Sequence, residues 1–165
     1  MRLMSDKVFI LDVDGVINDG KMYYTKDGKY MKAFGCDDFD LLKEINKHIP
    51  VHFITADKKG FAITQKRIEE EMGFQLDIVS HESVSRWDWM KNAYPNGDII
   101  FMGDGYADYY ALENCFLGIT TKDALDHVKR IADYTTERSG GDRAVAEACL
   151  YLMDRFDWEW KKEYV

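Results

Sequence analysis

The chain of 165 residues is short of proline, cysteine, basic charge and long apolar runs. Pro50 and Pro95 are its two prolines, each shortly before an expected strand. With no repeat or low-complexity segment, that excludes a proline-rich spacer or a string of linked modules. Cys36, Cys115 and Cys149 are odd in number and scattered. They form neither a metal-ligand spacing nor a disulfide framework, which fits a reduced, cytoplasmic setting. The histidines, His48, His52, His81 and His127, show no ligand spacing either. No apolar run approaches the ~20 residues of a membrane-spanning helix. The residues before the first strand leave no room for a signal peptide, so no membrane partner is expected. Lys and Arg number 22 against 30 Asp and Glu, a formal net charge of −8. Phosphate backbones attract basic surfaces, so nucleic acid is excluded as a general partner. A small anion is not, because one bound cation can dominate a local field.

What is present is strand–helix alternation with 46% hydrophobic residues, enough for a real core in one domain spanning 1–165. Strands are expected at Val8 to Leu11, Val51 to Ile54, Leu76 to Val79, Ile99 to Met102 and Phe116 to Ile119, with a short edge strand near Tyr134 and Thr135. Helices are expected at Asp38 to His48, Lys58 to Met72, Ser83 to Ala93, Tyr106 to Asn114, Ala124 to Ile131 and Arg143 to about Arg155. The pattern predicts an α/β fold, a three-layer Rossmann-like sandwich around a parallel sheet. Lys21 to Phe34 breaks the alternation. Asp27-Gly28 between Tyr-rich runs reads as a β-hairpin flap over about 21–34, either covering the site or pairing with another subunit. Its tyrosines are more aromatic surface than water accepts comfortably, so a homo-oligomer is expected. A C-terminal helix and an amphiphilic, Trp-containing tail fill about 141–165.

Strand ends carry the chemistry. Val8 to Leu11 runs into Asp12 and Asp14, one residue apart, with Gly15 behind them. Ligands in open α/β sheets bind outside the carboxyl ends of the strands. Two acids this close repel unless one is protonated or a cation intervenes. A hard, oxygen-liganded cation, Mg²⁺ above all, would relieve them. The second strand ends at Thr55, followed by Ala56 and Asp57. The fourth ends in Gly103-Asp104-Gly105-Tyr106-Ala107-Asp108. Helix capping would explain Asp104 and Asp108 alone, but explains less well a second acidic pair ending a different strand.

These motifs resemble those of the haloacid dehalogenase superfamily. The Leu11-to-Gly20 stretch, Lys32-Ala33-Phe34, Asp38 and Ser139-Gly140-Gly141 through Val145 are further similar to its capless 3-deoxy-D-manno-octulosonate 8-phosphate phosphatases. The resemblance covers roughly residues 6–156 and implies a Mg²⁺-dependent phosphatase of a small phosphorylated sugar or sugar acid. Asp12 would be the nucleophile that forms an aspartyl-phosphate, and Asp14 the general acid and base. The Asp12 carboxylate, the Asp14 backbone carbonyl and Asp104 would hold the metal, with Asp108 in support. Thr55, Ala56 and Arg86 would bind phosphate. By analogy, the oligomer would be a tetramer.

The chain departs from the family pattern at the mouth. Arg86 stands near the family's usual lysine, with Lys91 further along the helix. Asp57 stands where a basic residue is common, and Asp37-Asp38 replace Arg-Asp before the first helix. Lys32, Asp57, Lys58 and Arg143 are the candidate substrate contacts. The competing readings are a catalytically impaired binding or regulatory domain of the same fold, and a receiver-like domain phosphorylated on Asp12.

Overall fold

The computed structural model describes residues 6–159. Strand β1 (Lys7–Asp12) is followed by a hairpin of β2 (Tyr23–Thr25) and β3 (Gly28–Met31), then by β4 (Val51–Thr55), β5 (Gln75–Ile78), β6 (Asp98–Met102), β7 (Leu117–Thr120) and β8 (Tyr134–Thr135). All but the hairpin form one parallel sheet in the order β5-β4-β1-β6-β7-β8. The chain winds outward from β1 to β5, then returns to β6 on the other side of β1. The strand order reverses at β1 and β6, and the crevice above such a reversal is where ligands of open α/β sheets bind.

Both faces of β1 are buried, which its continuous apolar run requires. Phe9 and Leu11 point into one core with Phe53, Ile100 and Ile119. Val8 and Ile10 point into the other with Ile54, Ile99 and Phe101, as the period of two dictates. The first core is covered by α1 (Asp38–Ile45) and α6 (Ala144–Phe156) through Leu42, Ile45, Val145, Cys149 and Leu152. The second is covered by α3 (Ser83–Ala93), α4 (Tyr109–Asn114) and α5 (Asp126–Lys129) through Met90, Leu112 and Val128. This is the three-layer α/β architecture the sequence predicts.

Differences lie at element ends. The helix expected from Lys58 begins as α2 only at Phe61 (Phe61–Gln65) and continues as a π-helical stretch, Lys66–Glu71. Asp57 Oδ1 accepts the Gly60 N–H at 3.0 Å and holds 57–60 in a turn; short acidic side chains compete with helix in this way. Gly73, at φ 74°, ends the stretch, with the Phe74 N–H reaching back to the Ile68 carbonyl at 3.0 Å. The helix expected from Tyr106 begins as a 3-10 turn, Tyr106–Asp108, because the Asp108 carboxylate folds back onto the Asp104 and Gly105 N–H groups. Expected helical turns at 46–48 and 130–131 are irregular, and Arg143 lies outside α6 at φ 67°.

The hairpin is tied to the β1 loop by an Asn18–Phe34 bridge and by the Asp19 N–H to the Ala33 carbonyl at 3.3 Å. The start of the tail folds onto its own chain, with Trp158 stacked on His48 at 5.2 Å. Residues 160–165 of the tail lie outside the described residues.

Candidate active site

Asp12 is the last residue of β1, and its Oδ1 accepts the Val13 N–H at 2.8 Å. The chain then turns sharply, with Gly15 at φ 83°. A Cβ on Gly15 would lie 2.0 Å from Asp104 Oδ2. Glycine therefore serves both the left-handed turn and the close approach of two strand ends. Asn18 is fully buried beneath this loop. Its Oδ1 accepts the Gly15 and Gly20 N–H groups at 3.0 and 2.9 Å, and its Nδ2 donates to Asp14 Oδ1 at 2.9 Å. Asn18 is missing from the sequence expectation. Its signal was a polar residue four positions after Asp14 and before Asp19-Gly20.

On the β4 side, Thr55 is the buried last strand residue, and its Oγ1 accepts the Asp57 N–H at 3.1 Å. Lys32 Nζ lies 2.9 Å from Asp14 Oδ1 and 2.8 Å from Asp57 Oδ2, and donates to Thr64 Oγ1 at 2.9 Å. An ammonium has three N–H donors, and these protein groups take them all. Lys29 of β3 also reaches Asp57 Oδ2, at 2.5 Å. Burial pushes Asp57 upward, but hydrogen bonds from Lys29 and Lys32 outweigh it and bring its pKa down to about 2. Lys29 and Thr64 were also unforeseen, since their partners are distant in sequence.

On the β6 side, Asp108 is buried and fully engaged. Its Oδ2 accepts the Asp104 and Gly105 N–H groups at 2.9 and 3.1 Å, and its Oδ1 accepts from Arg86 Nη1. Arg86 is buried on α3, 3.3 Å from Asp12 Oδ2, with its Nε donating to the Ser80 carbonyl at 3.2 Å. Lys91 instead lies over the Trp87 ring at 5.9 Å. Burial, then the Asp108 charge, hold Asp12 well above the usual carboxylate range, against the opposing pull of Arg86. Burial, with Asp108, Asp123 and Asp14 after it, pushes Asp104 up to about 7.

These groups face a cavity of about 1250 Å³. Of the expected site residues, Asp12, Asp14, Ala56, Asp57, Lys58, Arg86, Asp104 and Asp108 line it. Thr55 and Lys32 are buried and are not among the lining residues. Arg143 is not among the lining residues and pairs with Asp37 at 2.5 Å. The Gly140-Gly141 segment packs on the β1 loop. A Cβ on Gly140 would sit 1.9 Å from the Gly15 carbonyl oxygen, and the Gly141 N–H donates to the Val16 carbonyl at 3.3 Å.

The donor set fits a hard divalent cation. Asp12, Asp104 and Asp108 each bring a carboxylate oxygen within 4.8 Å of the others. Among the described residues, the guanidinium of Arg86 pairs with two of these three acids, Asp12 and Asp108. Oxygen-only donors and surplus negative charge are what Mg²⁺ takes. Asp108 already spends both oxygens on protein donors, which suits support rather than direct ligation.

Residues 6–148 match the model of the haloacid dehalogenase-like hydrolase family. The chain is 30% identical over 155 residues to the 3-deoxy-D-manno-octulosonate 8-phosphate phosphatase of Salmonella typhi, covering 89% of this chain and 79% of that one. In fold it is similar to a probable YrbI family phosphatase from Pseudomonas syringae, with a TM-score of 0.80, 25% identity, and 92% and 86% of the two chains covered. It is also similar to the 3-deoxy-D-manno-octulosonate 8-phosphate phosphatase of Moraxella catarrhalis, solved with a magnesium ion, a phosphate ion and KDO. There the TM-score is 0.79, the identity 24%, and the coverage 92% and 89%. Among the described residues no helix is long and apolar enough to cross a membrane.

Proposed function

The chain belongs to the haloacid dehalogenase-like hydrolase family, as a phosphatase hydrolase, and on that premise we propose that it is a Mg²⁺-dependent phosphomonoesterase of a small sugar or sugar-acid phosphate. The observation that carries this is the convergence of Asp12, Asp14, Asp104 and Arg86 on one cavity at the strand-order reversal. Asp12 is the nucleophile. Its Oδ1 is pinned by the Val13 N–H, and attack on phosphorus breaks the ester P–O bond and gives an aspartyl-phosphate. Asp14 hands a proton to the leaving alkoxide, then takes one from the water that cleaves the intermediate. Asn18 and Lys32 fix its carboxylate from two sides. Arg86, with Thr55 and Ala56 at the end of β4, receives phosphoryl oxygens. Asp12, the Asp14 carbonyl and Asp104 hold the metal, and Asp108 keeps Arg86 and Asp104 in place. When bound, Mg²⁺ supplies the positive charge that lets a carboxylate approach a phosphate dianion.

The test is phosphate release from a panel of sugar and sugar-acid phosphates, with Mg²⁺ and with chelator. Release that needs Mg²⁺, and falls by roughly a thousandfold or more in a folded Asp12→Asn variant, is the expected result. Turnover retained in Asp12→Asn overturns it. No release from any ester by a folded, Mg²⁺-binding protein would mean a binding or regulatory domain. We also propose a homo-oligomer, a tetramer by analogy. Tyr24 and Tyr30 of the flap are 61% and 55% exposed, apolar surface that association would cover. Sedimentation checks this.

A further inference from the structure

Lys29 and Lys32 present a local puzzle. Their side chains are only 4% and 0% exposed, yet both ammonium groups lie at one point, 2.5 and 2.8 Å from the same oxygen, Asp57 Oδ2. Two cations brought together in a desolvated wall repel unless an anion sits between them. The chain supplies that anion. Lys29 and Lys32 come from the flap, while Asp57 comes from the loop after β4. The space is full. A Cβ on Gly60 would lie 2.2 Å from Asp57 Oδ2, 2.8 Å from Lys29 Cδ and 3.0 Å from Lys32 Cε.

We infer that Asp57 is a built-in anion occupying a two-lysine pocket in the cavity wall, so that the enzyme prefers phosphate esters whose leaving group carries no carboxylate. The inference rests on the phosphatase reading above and narrows its substrate to neutral sugar or polyol phosphates. A carboxylate on the leaving group would have to displace Asp57 from both lysines. Arg86 lies with Asp12 and Asp108, where the proposed reaction places the phosphoryl group, so it is not left for a second anion. The other cations lining the cavity, Lys58 and Lys59, are exposed, and ion pairs in water contribute little. The phosphate is thus the one anion this cavity accommodates well.

A matched pair of substrates tests this: a hexitol 6-phosphate and the corresponding hexonate 6-phosphate, both open chains that differ at C1, a neutral CH2OH in one and a carboxylate in the other. The wild type is expected to favour the hexitol ester in kcat/KM by roughly tenfold or more. Asp57→Asn should shift the ratio toward the hexonate by roughly ten- to a hundredfold, the range of a charge-assisted hydrogen bond, and Asp57→Glu should restore the original preference. Calorimetry with gluconate gives a readout without turnover, with binding expected in Asp57→Asn and absent in the wild type. Asp57→Ser is a second opening of the pocket should Asn disturb folding. A wild type that cleaves the hexonate ester at least as well, or a ratio unmoved in both variants, overturns the inference. p-Nitrophenyl phosphate separates the two levels. If neither it nor any ester releases phosphate, the phosphatase reading fails, while gluconate binding still decides whether Asp57 fills an anion pocket.

Discussion

The two walls of the cavity handle buried acids in opposite ways. On the flap side, Asp14 and Asp57 face Lys29 and Lys32, and charge balances within the protein. On the β6 side, Asp12, Asp104 and Asp108 cluster together, and among the described residues Arg86 pairs with Asp12 and Asp108. The pKa values record the difference. Asp57 is brought down to about 2, while Asp104 is pushed up to about 7. A buried acid matched by cations is balanced within the protein, whereas a buried acid cluster short of cations has room for one. In the proposed reaction the flap side supplies Asp14 and the Asp57 lock, and the β6 side supplies Asp12 and the acids of the metal cluster.

The largest expected effect comes from breaking the sharing on the β6 side. Asp108→Asn removes the charge that neutralises buried Arg86 and presents an amide N–H₂ where the guanidinium or the Asp104 and Gly105 N–H groups need an acceptor. The expected loss is about 4 kcal/mol, typical of removing one partner from a buried pair. Urea titration measures it. A loss below about 1 kcal/mol would mean that the β6 wall is not held by Asp108.

Next comes the flap side. Lys32→Met keeps the unbranched apolar stem but leaves Asp14 and Thr64 without their ammonium donor and Asp57 with Lys29 as its ammonium partner. About 3 kcal/mol should be lost. The cations of this wall belong to the protein, so the loss should be equally large with Mg²⁺ or with chelator. In the wild type, Mg²⁺ at about a hundred times its Kd should add about 2.7 kcal/mol, the linkage value for a ligand that binds only the folded state. No stabilisation by Mg²⁺ would remove the distinction between the walls.

How far the sequence carried this follows from the range of each signal. Asp12, Asp14, Thr55 and Asp104 were legible because apolar runs locate strand ends, and strand ends of a parallel sheet share one edge. Arg86 was legible through its position on an expected helix. Its lock onto Asp108 was not, since it spans 22 residues between two helical elements. Lys29–Asp57 and Lys32–Thr64 were hidden for the same reason, with separations of 28 and 32 residues. Helix starts at 58 and 106 were misplaced because Asp57 and Asp108 take N–H groups that a helix would use, and composition does not show which side chain wins that competition.

Asp38 offers a control outside the cavity. It is buried at the start of α1, its Oδ1 accepts the Ala146 N–H of α6 at 2.9 Å, and its Oδ2 has no partner among the described residues. Burial raises its pKa to about 6 despite that hydrogen bond. Folding thus favours the protonated form. The stabilisation is full below the unfolded value of ~3.9 and is lost as pH rises through about 6. Asp57 behaves in the opposite sense: its contribution is present above the unfolded value and is lost as pH falls through about 2. A rise of this size in Asp38 corresponds to on the order of 3 kcal/mol. Urea stability measured from pH 4 to 7 should show this decline in the wild type and a flatter profile in Asp38→Asn. The Asp38→Asn difference should also be insensitive to Mg²⁺, because Asp38 touches α6 rather than the acid cluster. A Mg²⁺-dependent difference would show that the two regions are coupled through the sheet.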